Sequence, residues 1–147
     1  MADIEALEAH LAIGKVKARY CRMLDTKNWA EFSALFTADF VLDISEGTSV
    51  PVIHGRAAAV QQVQSSVGAA RTVHQVHTPE IELKGDEAHV IWAMQDRVVW
   101  EAPRRGIAAF TGYGHYHERY VRHNGEWRIA ALRLTRLHID AQPAPSA

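Results

Sequence analysis

The stretch that decides the fold is Arg71–Trp100, RTVHQVHTPEIELKGDEAHVIWAMQDRVVW. Its alternation of apolar and polar residues predicts two long strands joined by a tight turn at Lys84-Gly85-Asp86. The apolar face of the second strand carries, at every second position, Ala88, Val90, Trp92 and Met94. Asp96 continues that face, and a carboxylate beside an apolar stripe needs a partner. His74 is the candidate partner on the first strand, so we expect a histidine and acids to meet in a pocket.

The length and composition fit a single domain, which we place at residues 1–140, with an Ala/Pro-rich tail at 141–147 that we expect to be flexible. The net charge of -1 gives no reason to expect nucleic acid or an anionic membrane as a partner. We find no apolar run of membrane-spanning length and no secretion signal. The single cysteine, Cys21, cannot form an internal disulfide, so a cytoplasmic location is predicted.

The remaining elements are predicted from caps, periodicity and turn signals. We expect helices at residues 3–25, from Asn28 to 37–39, and from Gly55 to Gly68; short strands at 40–43 and 50–54; a polar loop at 101–106; and long strands at 110–123 and 127–138 around an Asn124-Gly125 turn. Pro79 interrupts the first strand of the deciding stretch and predicts a bulge or an edge position there. Helices followed by long antiparallel strands predict an α+β fold, in which a curved sheet wraps around the first helix as a cone.

Several phrases of the sequence together resemble one known family. They are RYCRMLD at 19–25, WAEFSALFTADFVLD at 29–43, IHGRAAA at 53–59, TVHQVHTPEIELKGDEA at 72–88 and GHYHERYVRHNGEWRIAALRLTRL at 114–137. Over residues 3–140 the chain is similar to the SnoaL-like group of the nuclear transport factor 2-like superfamily. The resemblance implies an α+β cone. It leaves function open, because this scaffold hosts dehydratases, isomerases, cyclases, epoxide hydrolases, oxygenase small subunits and proteins without activity.

The site residues most resemble those of the lyases in this group, namely bile acid dehydratase, hexachlorocyclohexane dehydrochlorinase and, more distantly, scytalone dehydratase. In that pattern an aspartate of the first helix orients a strand histidine, which removes a carbon-bound proton. Asp25 and His74 occupy the matching positions here. The bile acid dehydratase pattern adds a tyrosine, a second acid and an arginine, which match Tyr20, Asp96 and Arg136.

Each of these residues has a chemical role and a purely structural alternative. A neutral histidine with a carboxylate on its second nitrogen is a competent base at neutral pH. Tyr20 would stabilise a developing oxyanion, Arg136 would hold a carboxylate or a departing anion, and Asp96 would position Arg136 or assist proton transfer. Alternatively, His74 and Tyr20 belong to the core, and Asp96 only pairs with an arginine.

The expected ligand is a small apolar cyclic molecule, such as a steroid, terpenoid or aromatic compound. Trp92, Met94, Phe110 and Tyr116 are the candidate pocket residues, with plain core packing as the alternative for each. His115 and His117 share a strand face, yet no third ligand accompanies them, so we expect no metal. No Gly-rich phosphate loop is found, and we expect no cofactor.

Three functions stay open from the sequence. The first is a cofactor-independent lyase of the dehydratase or dehydrohalogenase type, and the second is an isomerase or cyclase that uses the same pair of residues. The third is a non-catalytic ligand-binding protein or oxygenase small subunit, which would need neither an aligned pair nor an open pocket. Outer strand positions Ile91, Ala93, Ile129 and Ala131 are apolar and predict a homo-oligomer. The resemblance to the lyases favours a trimer over a dimer.

Overall fold

A computed structural model describes residues 2–146 of the chain. Three helices and seven strands follow one another as α1 Ala2–Asp25, α2 Trp29–Ser33, β1 Phe36–Asp43, β2 Ile53–His54, α3 Arg56–Val67, β3 Ala70–Val76, β4 Glu80–Lys84, β5 Glu87–Arg104, β6 Ile107–His123 and β7 Glu126–Pro143. The predicted α+β class is confirmed: the helices lie against a large, curved and unclosed mixed sheet.

The strands form one sheet in the order β2-β1-β7-β6-β5-β3, with β4 paired to β5 beside β3. All neighbours are antiparallel except β1 and β7, which run parallel. The long strands β5, β6 and β7 pair along most of their length and form the centre of the sheet. Side chains of alternate positions on these strands therefore meet on one inner face.

The predicted two-stranded hairpin of residues 71–100 is instead a three-stranded arrangement. The first predicted strand breaks at His77-Thr78-Pro79 into β3 and β4, because Pro79 cannot donate a backbone hydrogen bond. Strand β5 is long enough to pair with both pieces: its first part faces β4 and its later part faces β3. The predicted turn at 84–86 is present, with Gly85 at a φ of 63°.

Several predicted boundaries are wrong, and the strand predicted at 50–54 is only Ile53–His54. The second helix ends at Ser33, and Phe36 already belongs to β1. The polar segment 101–106 is the end of β5 and a turn, since β5 continues to Arg104. The last strand continues to Pro143, where it pairs with Ile107, so the first three residues of the predicted tail are paired strand.

The inner face of the sheet packs on α1 and forms the core. Residues that are buried on the sheet side include Val90, Trp92, Met94, Tyr116, Tyr120 and Leu132, and those on α1 include Ile13, Tyr20 and Leu24. Asp3 and Glu5 in the first turn of α1 and Arg22 in its last turn have the charges that the helix dipole favours. The last residue of α1, Asp25, lies next to β3.

The assignment of Ile129 to the outer sheet face is wrong, because Ile129 is fully buried in the core. The register between β6 and β7 shifts between Arg119 and Tyr120, which pair with Ala131 and Ile129. The extra residue of this bulge, Ala130, reverses the inside-outside alternation. Among residues 2–146, no helix has the length and hydropathy needed to cross a bilayer.

Candidate active site

His74 and Asp25 meet at the junction of β3 and the end of α1. The Nδ1 atom of His74 lies 2.6 Å from Oδ1 of Asp25, and the backbone N–H of His74 donates to Oδ2 at 2.8 Å. An ionised carboxylate has no proton to donate, so the proton of this bond belongs to Nδ1. The other ring nitrogen, Nε2, is then unprotonated in the neutral ring. The His74 side chain is only 7% exposed.

Two residues that sequence reasoning missed complete the surroundings of Asp25. The Thr72 hydroxyl donates to Oδ1 of Asp25 at 2.9 Å, and the Lys27 ammonium donates to the Thr72 hydroxyl oxygen at 2.8 Å. Asp25 therefore accepts three hydrogen bonds, from Thr72 and twice from His74. The two-residue period placed Thr72 on the face of His74, and this was the available signal.

Asp96 lies opposite His74 in the register of β3 and β5. Its Oδ2 atom is 4.0 Å from Nε2 of His74, too far for a hydrogen bond but close enough to attract a protonated ring. Arg136 of β7 binds Asp96 through both terminal nitrogens, at 2.5 and 2.9 Å. These contacts bring four of the predicted residues, Asp25, His74, Asp96 and Arg136, into one chain of side chains.

The pairing of Asp96 with Arg136 settles which arginine is its partner. Burial would lower the pKa of Arg136, but the hydrogen bonds and charge of Asp96 raise it, so the guanidinium stays charged. The pair is close to neutral as a unit. With Asp25 ionised and His74 neutral, the Lys27 ammonium near Asp25 brings the net charge of the site close to zero.

The β6 glycines Gly112 and Gly114 leave room for this ion pair and for the bend of β7. A Cβ atom on Gly112 would collide with Nη1 of Arg136 and Oδ1 of Asp96, and one on Gly114 would collide with the Thr135 carbonyl. Strand β7 bulges just after Arg136, where Tyr113 pairs with His138 and Gly114 with Arg136. Because the bulge follows Arg136, the side chain keeps the inward direction that the alternation predicted.

Replacing Gly112 with Ala should separate Asp96 from Arg136, because the added methyl group occupies the space of their contact. We expect a loss of roughly 1–3 kcal/mol of stability, measured by denaturant unfolding. The matched control is Gly14→Ala on α1, where nothing lies within 4 Å of the added Cβ. That change should stabilise the helix by about 0.5–1 kcal/mol. Equal effects of the two substitutions would contradict the steric argument.

Tyr20 is buried between a lysine and aromatic side chains, and the contact with the lysine was not predicted. The Lys17 ammonium lies 3.7 Å from the ring centroids of both Tyr20 and Tyr116. Burial, and then the charge of Glu118, raises the pKa of Tyr20 well above its ordinary value. The Tyr20 phenol is therefore a proton-bearing donor over the whole working pH range.

Lys17 forms a fully buried ion pair with Glu118 of β6. The second oxygen of Glu118 accepts hydrogen bonds from Trp92 Nε1 at 3.0 Å and from the Tyr120 hydroxyl at 2.6 Å. Burial lowers the pKa of Lys17, and the charge of Glu118 opposes that shift. Glu118 thus faces the buried interior of the protein. The described residues contain no group of three or more potential ligands that could hold a metal ion.

The four predicted pocket residues do not line the interior cavity. Trp92 and Tyr116 belong to the buried cluster around Lys17 and Glu118. Met94 and Phe110 surround Arg136 instead: the Met94 sulfur is 3.8 Å from Nη1, and the Phe110 ring centroid is 5.6 Å from the guanidinium carbon. Met94 and Phe110 therefore provide apolar contacts around the ion pair of Asp96 and Arg136.

The interior cavity lies on the other side of Tyr20. It is lined by Tyr20, Phe32, Phe36, Phe40, Leu42, Ala59, Val60, Val63 and Leu132, and its volume is about 10 Å³. That volume holds no more than a single water molecule. Helix α3 forms one wall through Ala59, Val60 and Val63.

Comparison with known proteins agrees with this architecture. The family model for the SnoaL-like domain matches residues 5–133, which is most of the chain. The chain belongs to the SnoaL-like domain family. The resemblance inferred from the sequence phrases is thereby confirmed.

Relatives of this SnoaL-like chain carry several activities in their names. The "Probable cyclase FGR4" of Gibberella zeae is 26% identical over 140 residues, covering 89% of this chain and 93% of the relative. A scytalone dehydratase-like protein from Novosphingobium aromaticivorans is 21% identical, with a TM-score of 0.83 and coverage of 100% and 95%. A type 2 hexachlorocyclohexane dehydrochlorinase is 14% identical, with a TM-score of 0.83 and coverage of 97% and 95%. The two structural likenesses show the shared fold.

Proposed function

We propose that this SnoaL-like chain is a cofactor-independent lyase in which His74 removes a carbon-bound proton and Asp25 orients and stabilises the imidazole. The observation that carries the proposal is the 2.6 Å contact between Nδ1 of His74 and Asp25, in a nearly enclosed position. A histidine with one nitrogen occupied by a carboxylate and the other unprotonated is a general base.

The step is an elimination of water or halide. Nε2 of His74 takes the proton, the electron pair of the C–H bond forms the new double bond, and the leaving group departs with its own electron pair. The imidazolium returns its proton to a departing hydroxide, which leaves as water, or releases it to solvent after a halide ion departs, so the enzyme is restored. Asp25 at Nδ1 and Asp96 at 4.0 Å from Nε2 both stabilise the imidazolium.

The charges of the site favour a neutral substrate. Arg136 is already paired through two hydrogen bonds to Asp96, so its charge is not free for a substrate carboxylate. We therefore infer an uncharged, mostly apolar ring compound whose carbonyl or enolate oxygen accepts a hydrogen bond from Tyr20. The steroid, terpenoid and aromatic classes all satisfy this description.

Such a substrate needs more room than the cavity of about 10 Å³ provides. Helix α3 is the wall that is most easily displaced, because Ala59 is its single fully buried residue. The helix follows Gly55, whose φ of 98° is a conformation that other residues rarely adopt. We propose that substrate entry moves α3 away from Tyr20.

A screen of neutral cyclic β-hydroxy ketones for loss of water tests the proposal, since the conjugated product absorbs in the ultraviolet. We expect turnover of at least one steroid, terpenoid or aromatic member by the wild-type chain and none by His74→Ala. Equal turnover by the variant would contradict the assigned role of His74. Rearranged products without loss of water would identify an isomerase or cyclase, the activity named for the relative from Gibberella zeae.

The small cavity favours a second candidate, a non-catalytic ligand-binding protein or oxygenase small subunit. Such a protein would bind members of the same panel without converting them.

We also propose that the chain forms a homo-oligomer through the outer sheet face, as a trimer rather than a dimer. A cytoplasmic location is proposed as well. Val73 and Tyr113 are exposed large hydrophobic residues on that face and support the oligomer.

A further inference from the structure

Lys27 occupies a backbone position that normally belongs to glycine. The Asn28 N–H donates to the Met23 carbonyl and the Lys27 N–H donates to the Leu24 carbonyl, the two bonds of a Schellman motif at the end of α1. In this motif the first residue after the helix cap adopts a left-handed conformation. That residue is Lys27, whose φ is 60°. This conformation is less stable for lysine than for glycine, because the lysine Cβ atom crowds the following carbonyl oxygen.

The Lys27 side chain extends to the surroundings of Asp25. Its ammonium donates to Oγ1 of Thr72, and Thr72 donates in turn to Oδ1 of Asp25. A hydroxyl has one proton. Because the ammonium occupies a lone pair of the Thr72 oxygen, the hydroxyl proton is directed onto the carboxylate. Oδ1 of Asp25 is then held between Thr72 and His74.

Strained backbone positions cluster at functional sites, and the strain at Lys27 accompanies a polar contact to Thr72, the residue that donates to Asp25. If Lys27 served only to end α1, glycine would serve better. We propose that Lys27 and Thr72 are positioning residues, which fix the Asp25 carboxylate so that His74 keeps its proton on Nδ1 and leaves Nε2 free. The inference rests on the proposed function for its catalytic consequence.

The charge of Lys27 supports the same role. Partial burial lowers the pKa of Lys27, while the negative charge of Asp25 opposes that shift. The site has two carboxylates, Asp25 and Asp96, and one closely paired arginine, Arg136. Lys27 supplies the second positive charge on the Asp25 side, where its ammonium is linked to Asp25 through the Thr72 hydroxyl.

The first test is a spectroscopic one that needs no substrate. Lys27→Gly removes the side chain and the strain, so the melting temperature should stay equal or rise. In this variant the ring ¹⁵N spectrum of His74 should change from a single Nδ1–H tautomer to a mixture of tautomers. The His74 spectrum should change in the same way in Thr72→Val. Lys27→Arg, which keeps a donor, should retain the wild-type tautomer. A wild-type spectrum in both Lys27→Gly and Thr72→Val would overturn the proposal.

A matched control separates backbone strain from positioning. Arg105 is also basic, has a φ of 51° and precedes a glycine, but it lies in the turn between β5 and β6. Arg105→Gly should relieve the same kind of strain without altering the His74 spectrum. A spectrum altered as much by Arg105→Gly as by Lys27→Gly would assign the change to strain alone and overturn the proposal.

The second test applies to a compound that the dehydration screen identifies. Lys27→Gly should lower kcat about tenfold with little change in KM, the loss typical of an outer hydrogen-bonding partner. A fall in kcat without a tautomer change would overturn the positioning role. A tautomer change in a chain that turns over no compound would support the positioning role while the lyase proposal fails, so the two failures are distinguishable.

Discussion

Asp25→Asn should lower turnover by about 10³–10⁴-fold, as replacement of the orienting aspartate does in a Ser-His-Asp triad. Asparagine has the size of aspartate, and with its oxygen in the place of Oδ2 it can still accept from the His74 backbone N–H, although the Thr72 hydroxyl then loses its acceptor. Its amide group, however, can donate to Nδ1 of His74. The ring would then carry its proton on Nε2, the atom that must accept the substrate proton.

The measurement is kcat on the compound that the screen identifies, together with the melting temperature of the variant. We expect a nearly wild-type melting temperature with the loss confined to turnover. Asp39→Asn is the matched control, because Asp39 is exposed on β1 and has no part in the site. A wild-type kcat for Asp25→Asn would show that the tautomer of His74 does not matter.

Glu118→Leu should produce the largest loss of stability, about 3–5 kcal/mol for a broken buried ion pair. It leaves Lys17 charged in the core and removes the acceptor of Trp92 and Tyr120. The melting temperature should fall by roughly 2–4 °C for each kcal/mol. Lys17→Met should lower the stability less, because Glu118 would keep its hydrogen bonds from Trp92 and Tyr120.

The double variant Lys17→Met with Glu118→Leu separates lost attraction from an uncompensated charge. Removing both charges should recover part of the loss seen in Glu118→Leu, since the main penalty is the lone buried ammonium. Calorimetry of the three variants gives the coupling energy. Additive effects, with the double variant losing as much as the two single variants together, would contradict a direct interaction of Lys17 with Glu118.

The central part of the site was predictable because strand alternation is a strong rule. A period of two placed Asp96 at the end of the apolar face of β5 and His74 on an inward face of β3. The same alternation directed Arg136 inward, and the bulge that could have reversed it falls after that residue. The role of Asp25 came from the family resemblance, since an acid at a helix C-terminus has no favourable local interaction.

Other features depend on contacts between residues far apart in the chain. Lys17 and Glu118 are separated by 101 positions, and each alone has the pattern of an ordinary charged residue. Lys27 contacts Thr72 across 45 positions. Its left-handed backbone could not be predicted either, because lysine has no preference for that conformation. The bulge at Ala130 arises from pairing with β6, so the burial of Ile129 could not be predicted from alternation.

The lining of the cavity under α3 could not be predicted for a related reason. Periodicity identifies which residues of a strand share a face, but it does not say which of them a helix covers. Trp92 and Tyr116 face inward as predicted, and α1 fills the space in front of them with Lys17 and Tyr20. A cavity of about 10 Å³ lies under α3, and the short apolar pattern of that helix did not indicate how closely it packs.

The most direct test of the account is deuterium exchange at the carbon next to the carbonyl of a neutral cyclic ketone, followed by proton NMR in D₂O. It measures removal of the carbon-bound proton whether or not a leaving group departs. We predict that the wild-type chain exchanges this proton with solvent and that His74→Ala exchanges it no faster than buffer does. Exchange by His74→Ala at the wild-type rate would contradict the claim that His74 is the base.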